Sequence, residues 1–313
     1  MGNNTPLVSV LTQTYNQAPY IRECLDGILM QQTNFAYELL IYDDASTDGT
    51  ADIIREYEAK YPDIIKPIYQ TENQFSKGVR ISLEYQYPRV KGKYVTYCEG
   101  DDYWTDPLKL TKQVLFMEEN PEIPCCFHTV DQYQENSKKL SKGYIPSFLE
   151  ESNKTGEFFT NENRIEGWFA YILAIMFRSE YCDYLKKMSE KYVISFNDNH
   201  IIYYLMKGSK AYLFKESMAV YRMNDGGIFG NKPILYKLNR SYNITKELYT
   251  IEPDKYTESQ FLWCTNELFM LHIKNRDYLK AFKWKREHYN EIRKGYFYIL
   301  KKAIKNSFKK KAL

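Results

Sequence analysis

The sequence predicts an α/β fold: a Rossmann-like, mostly parallel sheet flanked by helices, followed by a helical C-terminal extension. Three observations predict it. Runs rich in β-branched and aromatic residues alternate with helix-period segments from Leu7 to Tyr221. Two of those runs stop at paired acids, Asp43-Asp44 and Asp101-Asp102, where open α/β sheets place their ligands. From Lys232 onward only helix-period apolar spacing remains. The expected boundaries are a domain over residues 1–230 and an extension over 231–313.

The elements follow in order. Leu7–Thr12 reads as a strand, and Pro19 opens a helix whose Ile21, Leu25, Ile28 and Leu29 share one face. Tyr37–Tyr42 is the second strand, and Ile53, Ile54, Tyr57 and Tyr61 mark the next helix. Ile64–Tyr69 reads as a shorter strand, which Pro67 assigns to an edge or an irregularity. A helix around Ser82–Tyr87 leads into the central strand Tyr94–Cys98. Asp106 and Pro107 have the N-cap and first-turn chemistry of the helix that carries Leu110, Val114 and Met117. Residues 131–166 read as a long polar loop, Trp168–Phe177 as a buried strand, and Tyr181, Tyr184, Leu185 and Met188 as a helix face. Short connections between strands and helices imply parallel strands with right-handed crossovers.

Composition narrows the function. With 313 residues and 44% hydrophobic content, a full core can be buried. Thirty Tyr and seventeen Phe suit a sugar- or base-binding surface and equally an aromatic core. A net charge of +3 gives no field for nucleic acid, so no nucleic-acid partner is expected. The last stretch, Glu291–Leu313, carries +7 and leaves −4 for everything before it. Six cysteines without metal or CxxC spacing read as reduced, buried thiols of a cytoplasmic protein. The opening Met-Gly-Asn-Asn-Thr-Pro lacks the apolar core of a signal peptide, and the longest apolar run is too short to span a bilayer.

The stretch Tyr94–Pro107 is the centre of the argument. A β-run stops at Glu99-Gly100-Asp101-Asp102, and carboxylates crowded at a strand end call for compensation, which a hard divalent cation supplies well. Asp101 and Asp102 are the expected ligands of such a cation, Mn²⁺ or Mg²⁺. Alone, the stretch would also read as a polar turn.

Three motifs in this order and spacing resemble the inverting family-2 glycosyltransferases with the GT-A fold, of the type that assembles bacterial glycans. They are Val8-Ser9-Val10-Leu11-Thr12-Gln13-Thr14-Tyr15-Asn16, Tyr42-Asp43-Asp44-Ala45-Ser46-Thr47-Asp48-Gly49-Thr50 and Glu99-Gly100-Asp101-Asp102-Tyr103-Trp104, and the resemblance covers residues 6–230. It implies a nucleotide-sugar donor, expected to be a uridine diphosphate sugar, and a glycan or lipid-linked glycan acceptor in polysaccharide biosynthesis. By resemblance Tyr15 stacks on the base, Asp44 accepts its imide N–H, the Thr14 backbone lies nearby, and Asp101 belongs to the donor site. The cation on Asp101 and Asp102 would then stabilise the departing diphosphate as a Lewis acid, with one of the two available to ribose or the donor sugar instead. Tyr15 has the alternative of a core tyrosine. The family usually has Asp where this chain has Glu99.

The resemblance makes Asp198 the general base that takes the acceptor hydroxyl's proton. Asn197 or Asp198 equally suits a helix cap, and His200 is a competing base. Relatives carry Tyr-Arg, a residue, His and a glycine pair where this chain has Tyr221-Arg222-Met223-Asn224-Asp225-Gly226-Gly227. Arg222 is implied as a diphosphate clamp and the glycine pair as a lid hinge or a plain turn. The basic tail, residues 294–313, reads as a solvated helix end or as an anchor on the inner face of an anionic membrane. A nucleotide-sugar-binding module without catalysis is the rival to an enzyme, suggested by Glu99 and Asn224.

Overall fold

In the computed structural model, which describes residues 5–224 and 232–294, the sheet is built outward from its most buried strands. The Gly226-Gly227 pair and the tail beyond Lys294 lie outside the described residues. The strands are β1 (Val8–Thr14), β2 (Tyr37–Asp43), β3 (Ile68–Tyr69), β4 (Tyr94–Tyr97), β5 (Tyr103–Trp104), β6 (Cys125–Gln134), β7 (Lys139–Ser141), β8 (Gly156–Phe159), β9 (Met176–Arg178) and β10 (Ala211–Met223). The helices are α1 (Ile21–Leu29), α2 (Thr50–Lys60), α3 (Lys109–Glu119), α4 (Ser147–Glu150), α5 (Tyr181–Ser189), α6 (Asp198–Leu205), α7 (Ile234–Ile251), α8 (Lys255–Lys274) and α9 (Tyr278–Glu287).

The strand order is β3-β2-β1-β4-β9-β6-β10-β5, with β7 added to β6 and β8 to β10. β1 runs parallel to β2 and β4, and β3 parallel to β2. β9 is antiparallel to both of its neighbours, β4 and β6, so it restores the original direction in β6, and β10 runs parallel to β6. β1, β2, β3, β4, β6 and β10 therefore point the same way, and their carboxyl ends share one edge. The antiparallel strands β5, β7, β8 and β9 make the far half mixed rather than a plain series of crossovers.

Local chemistry explains the elements. β1 and β4 are buried along nearly their whole length, as strands covered on both faces must be, and apart from Ser9 and Gln13 they are made of apolar, aromatic and β-branched residues. In α1, Ile21, Leu25 and Ile28 are buried as the spacing predicts, Cys24 joins them, and Leu29 is only half-buried. Gly27 lets α1 lie against β5: a Cβ there would sit 2.8 Å from the Trp104 carbonyl oxygen. β3 is two residues long and on the edge, as Pro67 requires. All six cysteines are buried and unpaired.

Three expectations change. Residues 131–166 are not one loop, because β6 continues to Gln134 and β7, α4 and β8 follow. In the expected buried strand Trp168–Phe177, Trp168 is exposed and the buried part is mostly irregular chain with a helical turn at Ile172–Ala174, and only Met176–Arg178 pairs. Burial alone does not distinguish a strand from an extended buried segment. Helix α3 starts at Lys109, and Asp106 caps the turn before it, its Oδ1 accepting from Leu108 N at 2.8 Å.

The chain divides into two units, Met1–Glu190 with Phe196–Asn224, and Lys191–Ser195 with Asp225–Leu313. In the second, Leu238, Tyr242, Phe261, Cys264 and Leu268 form the core of α7 and α8, with Trp284 of α9 packed on it. Trp284 Nε1 donates to the Thr265 carbonyl at 3.1 Å, which fixes α9 to α8. Among the described residues no helix is long and apolar enough to cross a membrane.

Candidate active site

The shared carboxyl edge gathers the predicted residues. Asp44 N donates to the Thr14 carbonyl at 3.0 Å and Gly100 N to the Gln13 carbonyl at 3.0 Å, so the ends of β1, β2 and β4 are stitched together. Thr14 is buried, and a Cβ on Gly100 would lie 2.9 Å from its Oγ1. Tyr15 is 47% exposed at this rim, which removes its reading as a core tyrosine. The loops after β1 and β2 are tied as well: Thr47 N donates to Asn16 Oδ1 at 2.8 Å, and Ala18 N to Asp48 Oδ2 at 2.9 Å.

Asp44 is buried, and both of its oxygens accept backbone N–H groups, from Gln74 at 2.7 Å and Phe75 at 3.0 Å. In this arrangement the carboxylate orders the loop beside the rim. Asp43 accepts from Ser46 N at 3.2 Å through Oδ2, and burial raises its proton affinity.

The end of β4 is less settled. Glu99 lies well above the usual carboxylate range because of burial and then the facing charges of Asp198 and Asp101. Burial also raises Asp101, although Asn224 Nδ2 donates to its Oδ2 at 2.8 Å. Asp102 is raised by burial and by Asp101 and Glu99, while its Oδ1 accepts from Arg222 N at 2.7 Å. Among the described residues no three His, Cys, Asp or Glu side chains form a ready cage for a metal. The fit to a divalent cation is electrostatic: crowded carboxylates that resist ionisation are what a cation would relieve.

Asp198 reaches this cluster from the first turn of α6, about a hundred residues further along the chain. The capping role falls to its neighbour, since the Asn197 and His200 side chains form the capping box of α6. Burial raises Asp198, the direction a general base needs. His200 is buried, its Nδ1 lies 2.8 Å from Asn197 Oδ1, and burial followed by Arg80 lowers it to about 3. Its Nδ1 is engaged in the cap and its proton affinity is low, both unfavourable for a base.

Arg222 sits at the rim but is not open to it. Its guanidinium donates to Glu135 at 2.7 Å and to Glu23, its Nε donates to the Asp101 carbonyl at 2.9 Å, and it lies over the rings of Tyr20, Tyr103 and Tyr133. Together with its backbone N–H on Asp102, Arg222 holds the acidic turn from behind. Contact with a phosphate would require it to leave two carboxylates.

Sequence reasoning missed Gln17, Tyr20, Glu23, Glu135 and Tyr221 at this edge. Glu135 carried a usable signal, an acid directly after a strand that runs with β4. Tyr221 stands in the Tyr-Arg motif, but a Tyr in a long strand reads as core, so the motif points to Arg222 alone. The Tyr221 hydroxyl is pushed up by burial and then by the charges of Asp102, Glu99, Asp101 and Asp198, and the bond from the following N–H, of Arg222, to Asp102 puts Tyr221 beside the acidic turn.

Comparison with known proteins agrees with this architecture. The sequence profile described as glycosyl transferase family 2 matches residues 9–206, more than half of the chain. Uncharacterized protein Rv1520 of Mycobacterium tuberculosis is 46% identical over 135 residues, 43% of this chain and 38% of that protein. TuaG of Bacillus subtilis, provisionally named a teichuronic acid biosynthesis glycosyltransferase, is 40% identical over 119 residues, 38% of this chain and 45% of that protein. The chain thus spans less than half the length of these curated relatives. Among solved structures, Staphylococcus aureus TarS in complex with UDP-GlcNAc superposes with a TM-score of 0.58 at 17% identity, covering 92% of this chain and 79% of that one. The mannosyltransferase PcManGT of Pyrobaculum calidifontis, in complex with GDP-Man and Mn²⁺, superposes with a TM-score of 0.53 at 18% identity, covering 91% and 75%. At such identities the likeness establishes the fold, which is GT-A.

Proposed function

The chain belongs to glycosyl transferase family 2, and from that premise we propose a metal-dependent, inverting transfer of a sugar from a nucleotide-diphosphate donor to a hydroxyl of a glycan or lipid-linked glycan. The observation that carries the reading is the convergence of the β1, β2 and β4 ends, with Thr14, Tyr15, Asp44 and the acidic turn Glu99–Asp102, on one rim, where the charges of Asp198 and Asp101 both act on the buried Glu99. UDP-GlcNAc in the TarS neighbour supports a uridine diphosphate sugar as the donor to test first. GDP-Man and Mn²⁺ in the PcManGT neighbour support a nucleotide sugar and a divalent cation. The teichuronic acid relative supports polysaccharide biosynthesis. Residues 1–230 are the transfer domain in this reading, and 231–313 the extension.

Each residue has a task. Tyr15 offers its exposed ring to the base, with the Thr14 carbonyl and the Asp44 loop forming the wall beside it. Asp101 and Asp102 would hold Mn²⁺ or Mg²⁺, which when bound supplies Lewis-acid stabilisation of the departing diphosphate. Asp198 takes the acceptor hydroxyl's proton on its carboxylate, on the face opposite the leaving group, so the anomeric configuration inverts. Arg222 keeps the acidic turn in register through the Asp101 carbonyl and the Asp102 carboxylate.

Peripheral attachment to the inner face of a membrane extends this reading. Support comes from α9, where exposed Leu279 and Phe282 lie among Lys280, Lys283 and Lys285, the mix that suits an anionic lipid surface.

A thermal-shift screen of nucleotide sugars with and without Mn²⁺, followed by NMR of the product, tests the core of the proposal. A metal-dependent shift with a UDP-sugar and an inverted anomeric centre are expected. Retention of configuration, or no response to any nucleotide sugar, would overturn it.

A further inference from the structure

The turn Asn161–Glu166 is fastened to the helix that carries Asp198. Asn161 Nδ2 donates to the Tyr203 carbonyl at 3.0 Å, and Arg164 donates to Asn199 Oδ1 at 2.5 Å. Whatever this turn leads into is therefore held beside the carboxylate cluster. It leads into Gly167, where a Cβ would lie 2.7 Å from the Tyr144 ring, and then into Trp168, which is 48% exposed. The Trp168 ring meets Tyr171 edge-on at 6.2 Å, and Tyr171 lies 5.5 Å from Tyr221. Tyr171 is buried, and Gln132 Nε2 donates to its hydroxyl at 2.8 Å, so the middle ring of the series is fixed. Tyr221 is 37% exposed, and the next residue, Arg222, donates its N–H to Asp102 Oδ1 at 2.7 Å and its Nε to the Asp101 carbonyl at 2.9 Å, which brings Tyr221 beside the acidic turn.

Two partly exposed aromatic rings thus flank a buried spacer, and the inner one opens on the acids. Single exposed aromatics are ordinary, but rings held rigidly in series beside a polar cluster form a recognition surface. Pyranose rings suit such a surface, because their C–H faces stack on aromatic rings while their hydroxyls bond to carboxylates and amides at the edge.

We propose that Tyr221 and Trp168 are successive platforms of the acceptor site, with the accepting pyranose on Tyr221, its hydroxyl toward Asp198, and the preceding unit on Trp168. The carboxylates around Tyr221 favour a neutral glycan over an anionic one. The proposal rests on the glycosyl-transfer reading and adds the acceptor's class and path to it.

The test uses the full chain on immobilised chito-, cello- and manno-oligosaccharides, with oligogalacturonate as an anionic arm and UDP affinity measured in parallel. The wild type should retain at least one neutral oligosaccharide. Trp168→Ala and Tyr221→Ala should each weaken that retention by about tenfold or more. Trp168→Tyr should restore most of it, and UDP affinity should stay unchanged in all three. Trp168 is at the surface, so its variant reports on binding rather than on folding, which thermal melts will verify. Unchanged retention by Trp168→Ala, retention of the anionic glycan alone, or no retained glycan would overturn the proposal. A parallel fall in UDP affinity would assign the rings to the donor and overturn it as well. Failure of the wild type to bind UDP would instead count against the donor reading, while glycan retention still judges the platforms.

Discussion

The ends of β2 and β4 both carry adjacent aspartates, yet Asp44 at β2 and the pair at β4 are in different states, while burial raises Asp43 as it does the β4 acids. At β2, Asp44 is saturated by two backbone N–H groups and Asp48 fastens Ala18 and Thr50. At β4, Glu99, Asp101 and Asp102 crowd one another, and each binds protons more tightly than a free carboxylate. The nearby cation, Arg222, is engaged by Glu23 and Glu135. The difference is the supply of donors. A loop that turns two N–H groups onto one carboxylate makes it scaffold, whereas Asp101 and Asp102, whose donors Asn224 and Arg222 N–H do not offset burial and mutual repulsion, stay electrostatically open to a ligand.

Breaking the open end should cost chemistry. Asp198→Asn should slow transfer by roughly two to four orders of magnitude while donor binding persists. Transfer at the wild-type rate would hand the role of base to another group. Asp102→Ala should lower metal-dependent donor turnover by about two orders of magnitude, with the protein still folded. Donor turnover by this variant that matches wild type in Mn²⁺ would remove the acid pair from the metal's coordination.

Breaking the scaffold end should cost order. Asp44→Ala strands the Gln74 and Phe75 N–H groups, and a loss of about 1–3 kcal/mol is expected, read as a lower midpoint in urea. Its donor KM should rise more than its kcat falls. The reverse pattern would place Asp44 in the chemistry and erase the contrast with β4.

The smallest effect sharpens the comparison through pH. The raised carboxylates at β4 contribute stability that is full below the unfolded carboxylate range, about pH 4, and is lost as pH rises through their higher folded values. Tm should therefore decline between about pH 4 and neutrality, and the Tm gain from added Mn²⁺ should grow over the same interval. Asp102→Asn should flatten both trends and Asp44→Asn should leave them. A Mn²⁺ effect independent of pH would show that these carboxylates do not take up the cation.

Several features were legible in the sequence because they are local. Apolar spacing gave β1, β2, β4, α1 and the helices after Lys232, and Pro67 placed the edge strand. Acids directly after strands located the rim, since chain direction alone puts carboxyl ends on one side of a parallel sheet. Cysteine spacing predicted unpaired, buried thiols, and all six are so.

What only the tertiary structure decided depends on partners distant in the chain. Whether Asp198 or Asn197 caps α6, and that His200 is consumed in the same cap, follows from side-chain geometry that the two adjacent residue types leave undetermined. Arg222 looks like a phosphate ligand from its motif, but Glu23 and Glu135 claim its guanidinium because α1 and the end of β6 meet at that edge. The contrast between the two acid pairs has the same origin. Sequence places a carboxylate at the end of a strand, while its charge state depends on which donors, charges and solvent the fold brings within a few ångströms.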